Sequence, residues 1–211
     1  DEPFLDQGLF STSSAINFLY PQDENPEHLA YWVYTLRPRF TYLESRPEVI
    51  PLNTNFRSLS FVGEAPDSIF AHYDRAKGNC WWFLDEKDTG NPDLPELTTE
   101  WLYLSNLDRI DENPKSADYQ PESIIGAEPP HNWCYYYQKA ALALQFSDWE
   151  QIVDLGYEAE EKGYFPGNSS SKSPHEWLPF IEGYANRGLW DKAASLTIRS
   201  SEASNNYDPA L

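Results

Sequence analysis

The sequence predicts an α+β fold, with a small antiparallel β-meander followed by two tetratricopeptide-like helical hairpins. Two observations carry this. Residues 131–195 place apolar side chains at helical spacing in four successive segments. Residues 52–85 hold three short runs rich in Phe, Val, Ile, Tyr and Trp, divided by turn residues. A division at about residue 130 follows, with a β-rich region over 1–130 and a helical region over 131–211, forming one unit.

In the helical half, Trp133, Tyr136, Tyr137, Ala140, Ala141 and Leu144 fall on one face of the first helix. Ser147-Asp148-Trp149-Glu150 reads as a capping box that opens the second helix, with Ser147 as its cap. That helix turns Trp149, Ile152, Val153, Gly156 and Ala159 inward and its acidic side outward, and it stops at Gly163. After a Gly/Ser/Pro loop, Ser173-Pro174-His175-Glu176 reads as a second capping box. Trp177, Phe180, Ile181 and Tyr184 form the third stripe, Gly188 ends it, and Trp190, Ala193, Ala194 and Thr197 begin the fourth. Trp149 and Trp190 hold the same place in the two hairpins, 190 − 149 = 41 residues apart, against about 34 for a tetratricopeptide repeat. The Gly167–Ser173 loop accounts for the excess, and small residues (Ala140, Gly156, Ala193) let paired helices approach.

Upstream, residues 1–27 read as an extended lead-in or one short helix near Ser13. The segment His28–Phe40 fits either a strand or a helix. FRSLSFVG, DSIFAHYD and NCWWFLDE are the three strands of the meander. Residues 86–130 form a proline-rich bridge with one short helix over 99–105, Leu97, Trp101 and Leu104 facing inward. A connection this long suits the border of a cleft.

Composition bounds the function. The chain has 211 residues and a formal net charge of −19, which disfavours nucleic acid and anionic membrane surfaces, both of which need Lys and Arg. No apolar run approaches the ~18 residues of a membrane span. Position 1 is not methionine, as expected for a mature chain or an excised domain. Cys80 and Cys134 lack CxxC spacing, so neither a zinc site nor any other metal or cofactor is expected. A disulfide between them would tie the two halves and fit an extracytoplasmic setting; two buried free thiols are the other reading.

The segments FRSLSFVGEAPDSIFAHYD, CWWFLDEKDTGNPDLPE, LSNLDRI and GAEPPHNWCYYYQKAALALQFSDWEQIVDLG carry a resemblance that spans Pro51 to Ser195. The chain resembles the C-terminal soluble tail of bacterial polytopic membrane proteins similar to glycosyltransferases that use lipid-linked sugars. The resemblance implies an extracytoplasmic domain attached to a membrane-embedded portion of the same polypeptide. It also implies that the catalytic carboxylates lie in loops near the first membrane helices, outside these residues.

The residues offer other candidate chemistry. Asp85, Gly90 and Glu96 fall at positions 1, 6 and 12 of a calcium loop, but Lys87 occupies a ligand position. His72-Tyr73-Asp74 would orient a general base, yet no hydrolase motif accompanies it. Glu176, Glu182, Asp148 and Glu150 are the candidates for a carboxylate pair that cleaves glycosides. Trp133, Trp149, Trp177 and Trp190 sit on buried stripes, where core packing is their use. Trp81 and Trp82 point to opposite faces of a strand, so one is available to a sugar or partner. Asn168-Ser-Ser matches a glycosylation sequon, which marks an exposed loop. The expected function is a non-catalytic extracytoplasmic domain that binds a partner protein or glycan between the hairpins and the β unit. Trp81, Tyr135 and Tyr157 are its candidate binding residues. The alternative is a secreted glycosidase-type hydrolase using paired carboxylates.

Overall fold

Six α-helices and four β-strands form an α+β fold in the computed structural model, described over residues 8–20, 28–34, 51–73, 80–91, 94–110, 130–166, 168 and 174–203. In order they are α1 (Gly8–Leu19), β1 (Pro51–Phe56), β2 (Leu59–Glu64), β3 (Phe70–His72), β4 (Trp82–Leu84), α2 (Glu96–Trp101), α3 (Trp133–Gln145), α4 (Trp149–Glu161), α5 (Leu178–Asn186) and α6 (Trp190–Ala203). Strands β1 and β2 pair antiparallel, from Pro51 opposite Glu64 to Phe56 opposite Leu59. Strands β3 and β4 form a second two-stranded sheet. The single meander expected from the sequence is therefore two sheets. FRSLSFVG is not one strand but the end of β1, a reversal at Arg57 (φ 58°) and β2 up to Gly63.

The chain divides into two units: Asp1–Phe70 with Phe83–Glu128, and Ala71–Trp82 with Pro129–Leu211. In the first unit α1 is fastened to the extended stretch after His28 by two polar side chains. The Asn17 carboxamide oxygen accepts from the Ala30 and Tyr31 amides (2.7 and 3.0 Å), and its nitrogen donates to the Tyr31 carbonyl (2.7 Å). The buried Ser13 hydroxyl accepts from the Val33 amide (2.9 Å). That stretch reaches β2 through a parallel bridge of His28 with Ser60, and Trp32 stacks on Phe61 at 6.2 Å. Residues 28–34 thus resolve as an extended lead, while 35–50 lie outside the described residues. A second cluster gathers Ala65, Phe70, Leu97, Trp101 and Leu104, with the three bridge residues inward as expected. Here Ser105 accepts from the Phe70 amide (3.0 Å) and donates to the Leu84 carbonyl (2.5 Å).

The second unit is built on α3 to α6. Each of these helices packs on the next, and α3 also reaches α5. Three of them end alike. At Ser147, Gly163 and Gly188 the backbone turns to positive φ (56°, 82° and 74°). The next amide then bonds five residues back: Asp148 to Ala143 (2.9 Å), Tyr164 to Ala159 (3.0 Å), Leu189 to Tyr184 (2.8 Å). This is the 6→1 bond that closes a helix with a left-handed residue. Ser147 therefore stops α3 and is not the cap of α4. The cap is Asp148, whose carboxylate accepts from the Gln151 amide at 3.0 Å.

Helix α5 also starts differently from the expectation. Pro179 has no N–H and belongs in a first turn, so the α-helix begins at Leu178 and residues Pro174–Trp177 form a separate 3₁₀ turn. The core of this unit includes Trp133, Tyr136, Tyr137, Ala140, Ile152, Ala159, Trp177, Phe180, Tyr184, Ala193 and Leu196. Two glycines fit α4 to α5 reciprocally. A methyl on Gly183 would overlap Ile152, and one on Gly156 would overlap the Tyr184 phenol. Trp190 departs from its expected burial. It is 67% exposed at the first turn of α6, and Leu189 takes the inward place before it.

Candidate functional site

The centre of the helical unit is a buried carboxylate. Glu176 was expected to cap a helix, but the 3₁₀ turn directs its side chain into the core, where the residue is 1% exposed. One oxygen accepts from the Cys80 amide at 2.8 Å, and the other accepts the indole N–H of Trp133. Rings surround it. Trp133 stacks on Trp177 (4.4 Å) and tilts against Phe180 (5.7 Å) and Tyr164 (5.9 Å). Burial pushes the Glu176 carboxyl above its ordinary value, opposed by the Cys80 amide and then the Trp133 indole, which favour the charged form.

Beside the carboxylate lies a disulfide. Cys80 and Cys134 are joined, with Cα atoms 5.3 Å apart and a sequence separation of 54. The Asn132 side chain caps α3 by accepting from the Tyr135 amide (3.2 Å), which fixes Trp133 and Cys134 in its first turn. Cys80 thus meets two separate elements at once: its sulfur is held by α3 and its amide by Glu176 of the 3₁₀ turn.

The candidate binding residues fall in two places. Trp81 and Tyr135 are the chain neighbours of the two cysteines, so both flank the disulfide. Trp81 is 37% exposed and stacks on Tyr73 (5.4 Å), while Gln138 reaches its carbonyl at a long 3.4 Å. Trp82 is the less exposed of the pair. Tyr135 is half-buried, with the imidazole of His131 lying parallel to it at 3.5 Å. Tyr157 is elsewhere, on α4. It is 45% exposed under the Lys192 ammonium (3.9 Å), which also lies over Tyr184 (4.8 Å) and pairs with Glu160 (2.7 Å). Burial, with Glu160 adding to it, raises the Tyr184 phenol far above its ordinary value.

Comparison with known protein families, curated proteins and solved structures finds no match to this chain.

The remaining candidates are occupied by structural work or lie apart. Glu150 and Glu182 are exposed, Asp148 caps α4, and Glu176 is enclosed, so these four do not face one cavity. In the acidic loop, Asp85 and Asp88 cap one another's turn: Asp85 accepts from the Lys87 amide (2.7 Å) and Asp88 from the Asp85 amide (2.9 Å). Among the described residues no group of three His, Cys, Asp or Glu is placed to hold a metal ion. Among them, too, no helix is long and apolar enough to cross a membrane. Asp74, the side chain of His175, and Ser169 and Ser170 of the sequon lie outside the described residues. Asn168 itself donates to the Gly163 carbonyl at 2.7 Å.

Sequence reasoning missed Glu176 as a hub and Gly183 as a contact point. The only local signal was the Pro-x-x-Trp-Leu-Pro spacing, which forbids an α-helix from starting before Leu178.

Proposed function

We propose that this chain is a non-catalytic extracytoplasmic domain of a membrane-bound glycosyltransferase-like protein, and that its helical unit binds a partner protein or a glycan. The observation that carries the reading is the disulfide closed onto the helical core. Such bonds persist in oxidising compartments and are rare in reducing ones. The serial packing of α3 to α6, with α3 also touching α5, supports a tetratricopeptide-like arrangement, and stacked hairpins commonly present binding faces. The exposed aromatic faces of Trp81 and Tyr157, with Tyr135 at the start of α3, supply contact area.

The glycosidase alternative draws no support from its carboxylates. A pair that cleaves glycosides must flank a substrate, whereas Glu176 is enclosed and bonded at both oxygens.

Trp81→Ala, Tyr135→Ala and Tyr157→Ala, made together, test the site. Binding is measured against a panel of neutral and acidic glycans and against the membrane-embedded remainder of the polypeptide. Loss of the aromatic anchors lowers affinity about tenfold or more, with the circular dichroism spectrum retained. Unchanged binding contradicts the site. Turnover of chromogenic glycosides by the isolated chain, abolished by one Glu→Gln change, contradicts the non-catalytic reading.

A further inference from the structure

Residues 71–82 belong to the helical unit, yet of the described residues in this segment only Cys80 enters its buried core. Every other buried member lies between Trp133 and Leu196. Cys80 is held twice, by the bond to Cys134 and by the amide bond to Glu176. Trp81 adds the long, exposed contact from Gln138 to its carbonyl and its stack on Tyr73, and Trp82 begins β4, which pairs with β3. The four helices, by contrast, bury Trp, Tyr, Phe, Ile and Ala against one another without help from this segment.

We propose that the Cys80–Cys134 disulfide is a redox latch that seats Cys80 and Trp81, the residues just before β4, on α3, and that its reduction releases these two residues while α3 to α6 stay folded. The two sulfurs differ in access. Cys80 is 3% exposed, whereas Cys134 is only partly buried, so a dithiol reductant attacks the Cys134 sulfur. The S–S bond breaks and Cys80 departs as a thiolate that takes up a proton. The reductant's second thiol then attacks the mixed disulfide, releases Cys134 as a thiol, and leaves the reductant as a disulfide. Two electrons pass to the protein, and two S–H bonds form. What remains at Cys80 is one hydrogen bond to a carboxylate that burial already disfavours as an ion. Opening carries Trp81 away from its place beside the disulfide and Tyr135.

The latch stands apart from the binding proposal. Amide hydrogen exchange read by mass spectrometry on the whole chain, oxidised and after dithiothreitol, tests the latch directly. The Cys80→Ala/Cys134→Ala variant serves as a permanently open form. The expected result is exchange at residues 80 and 81 faster by about 30-fold or more, the factor implied by the usual contribution of a disulfide. Protection across α3 to α6 stays unchanged in both the reduced protein and the variant. Two results overturn the proposal: unchanged protection at 80 and 81, or loss of protection through all four helices together, which would make the bond a staple of the whole unit.

Discussion

Replacing Glu176 removes the acceptor of two buried donors at once. In Glu176→Ala the Cys80 amide and the Trp133 indole N–H lose their partner while remaining enclosed by Trp177 and Phe180. An orphaned buried donor costs about 1–3 kcal/mol, so the pair costs about 2–6 kcal/mol. Part of this is returned because a carboxylate whose charged form is disfavoured by burial is also removed. Glu176→Gln keeps an oxygen for one donor but turns its NH₂ toward the other, for a loss of about 1–3 kcal/mol. The two variants are compared with wild type by urea unfolding followed by tryptophan emission. The pH dependence has a definite sign. The folded carboxyl titrates above its ordinary 4.5, so as pH rises the unfolded chain loses this proton first. The stabilisation from the protonated folded form is full below 4.5 and is lost as pH climbs through the folded value. The margin of wild type over Glu176→Gln therefore shrinks across that window, by no more than ~1.4 kcal/mol per pH unit, the slope of a single proton. Variants indistinguishable from wild type, or a margin that widens with rising pH, would refute the reasoning.

Four smaller perturbations check the helical unit. Gly183→Ala drives a methyl into Ile152; overpacking of about 1–3 kcal/mol equals or exceeds the ~1 kcal/mol gain in helix propensity, so the change is destabilising. In an Ile152→Ala background the same change turns neutral or stabilising, and equal costs in the two backgrounds would contradict the contact. Asp148→Ala loses the cap of α4 and about 1 kcal/mol of stability, whereas Ser147→Gly relieves a left-handed residue and raises the unfolding free energy by up to ~1 kcal/mol, read as a higher urea midpoint. Trp190→Ala changes stability by less than about 0.5 kcal/mol because the ring is largely exposed; a larger loss in denaturant titration would restore it to the core.

How much of this was legible depended on the range of the forces involved. The four C-terminal helices follow from local periodicity, and Gly163 and Gly188 end their helices because a positive φ suits glycine. Ser147 does the same without being glycine, so its place in a Ser-x-x-Glu pattern suggested a cap that the adjacent Asp148 supplies. Trp190 shares its position with Trp149 in the repeat, but burial is decided by neighbouring elements, and among the described residues none encloses Trp190. Glu176 was illegible for the same reason. A carboxylate is solvated by default, and nothing in PHEW announces that an amide 96 residues away and an indole 43 residues away will enclose it. In the β region the composition located the strands, while the reversal at Arg57 and the division into two sheets depended on backbone geometry that no strong turn residue marks.

The disulfide ties the compartment, the seating of Trp81 and the enclosure of Glu176 together. Differential alkylation of the protein taken directly from its own cells, denatured before any reductant is added, reads it most directly. The account predicts that Cys80 and Cys134 are both unlabelled until reduction. Two freely labelled thiols would contradict it, and with it the extracytoplasmic placement.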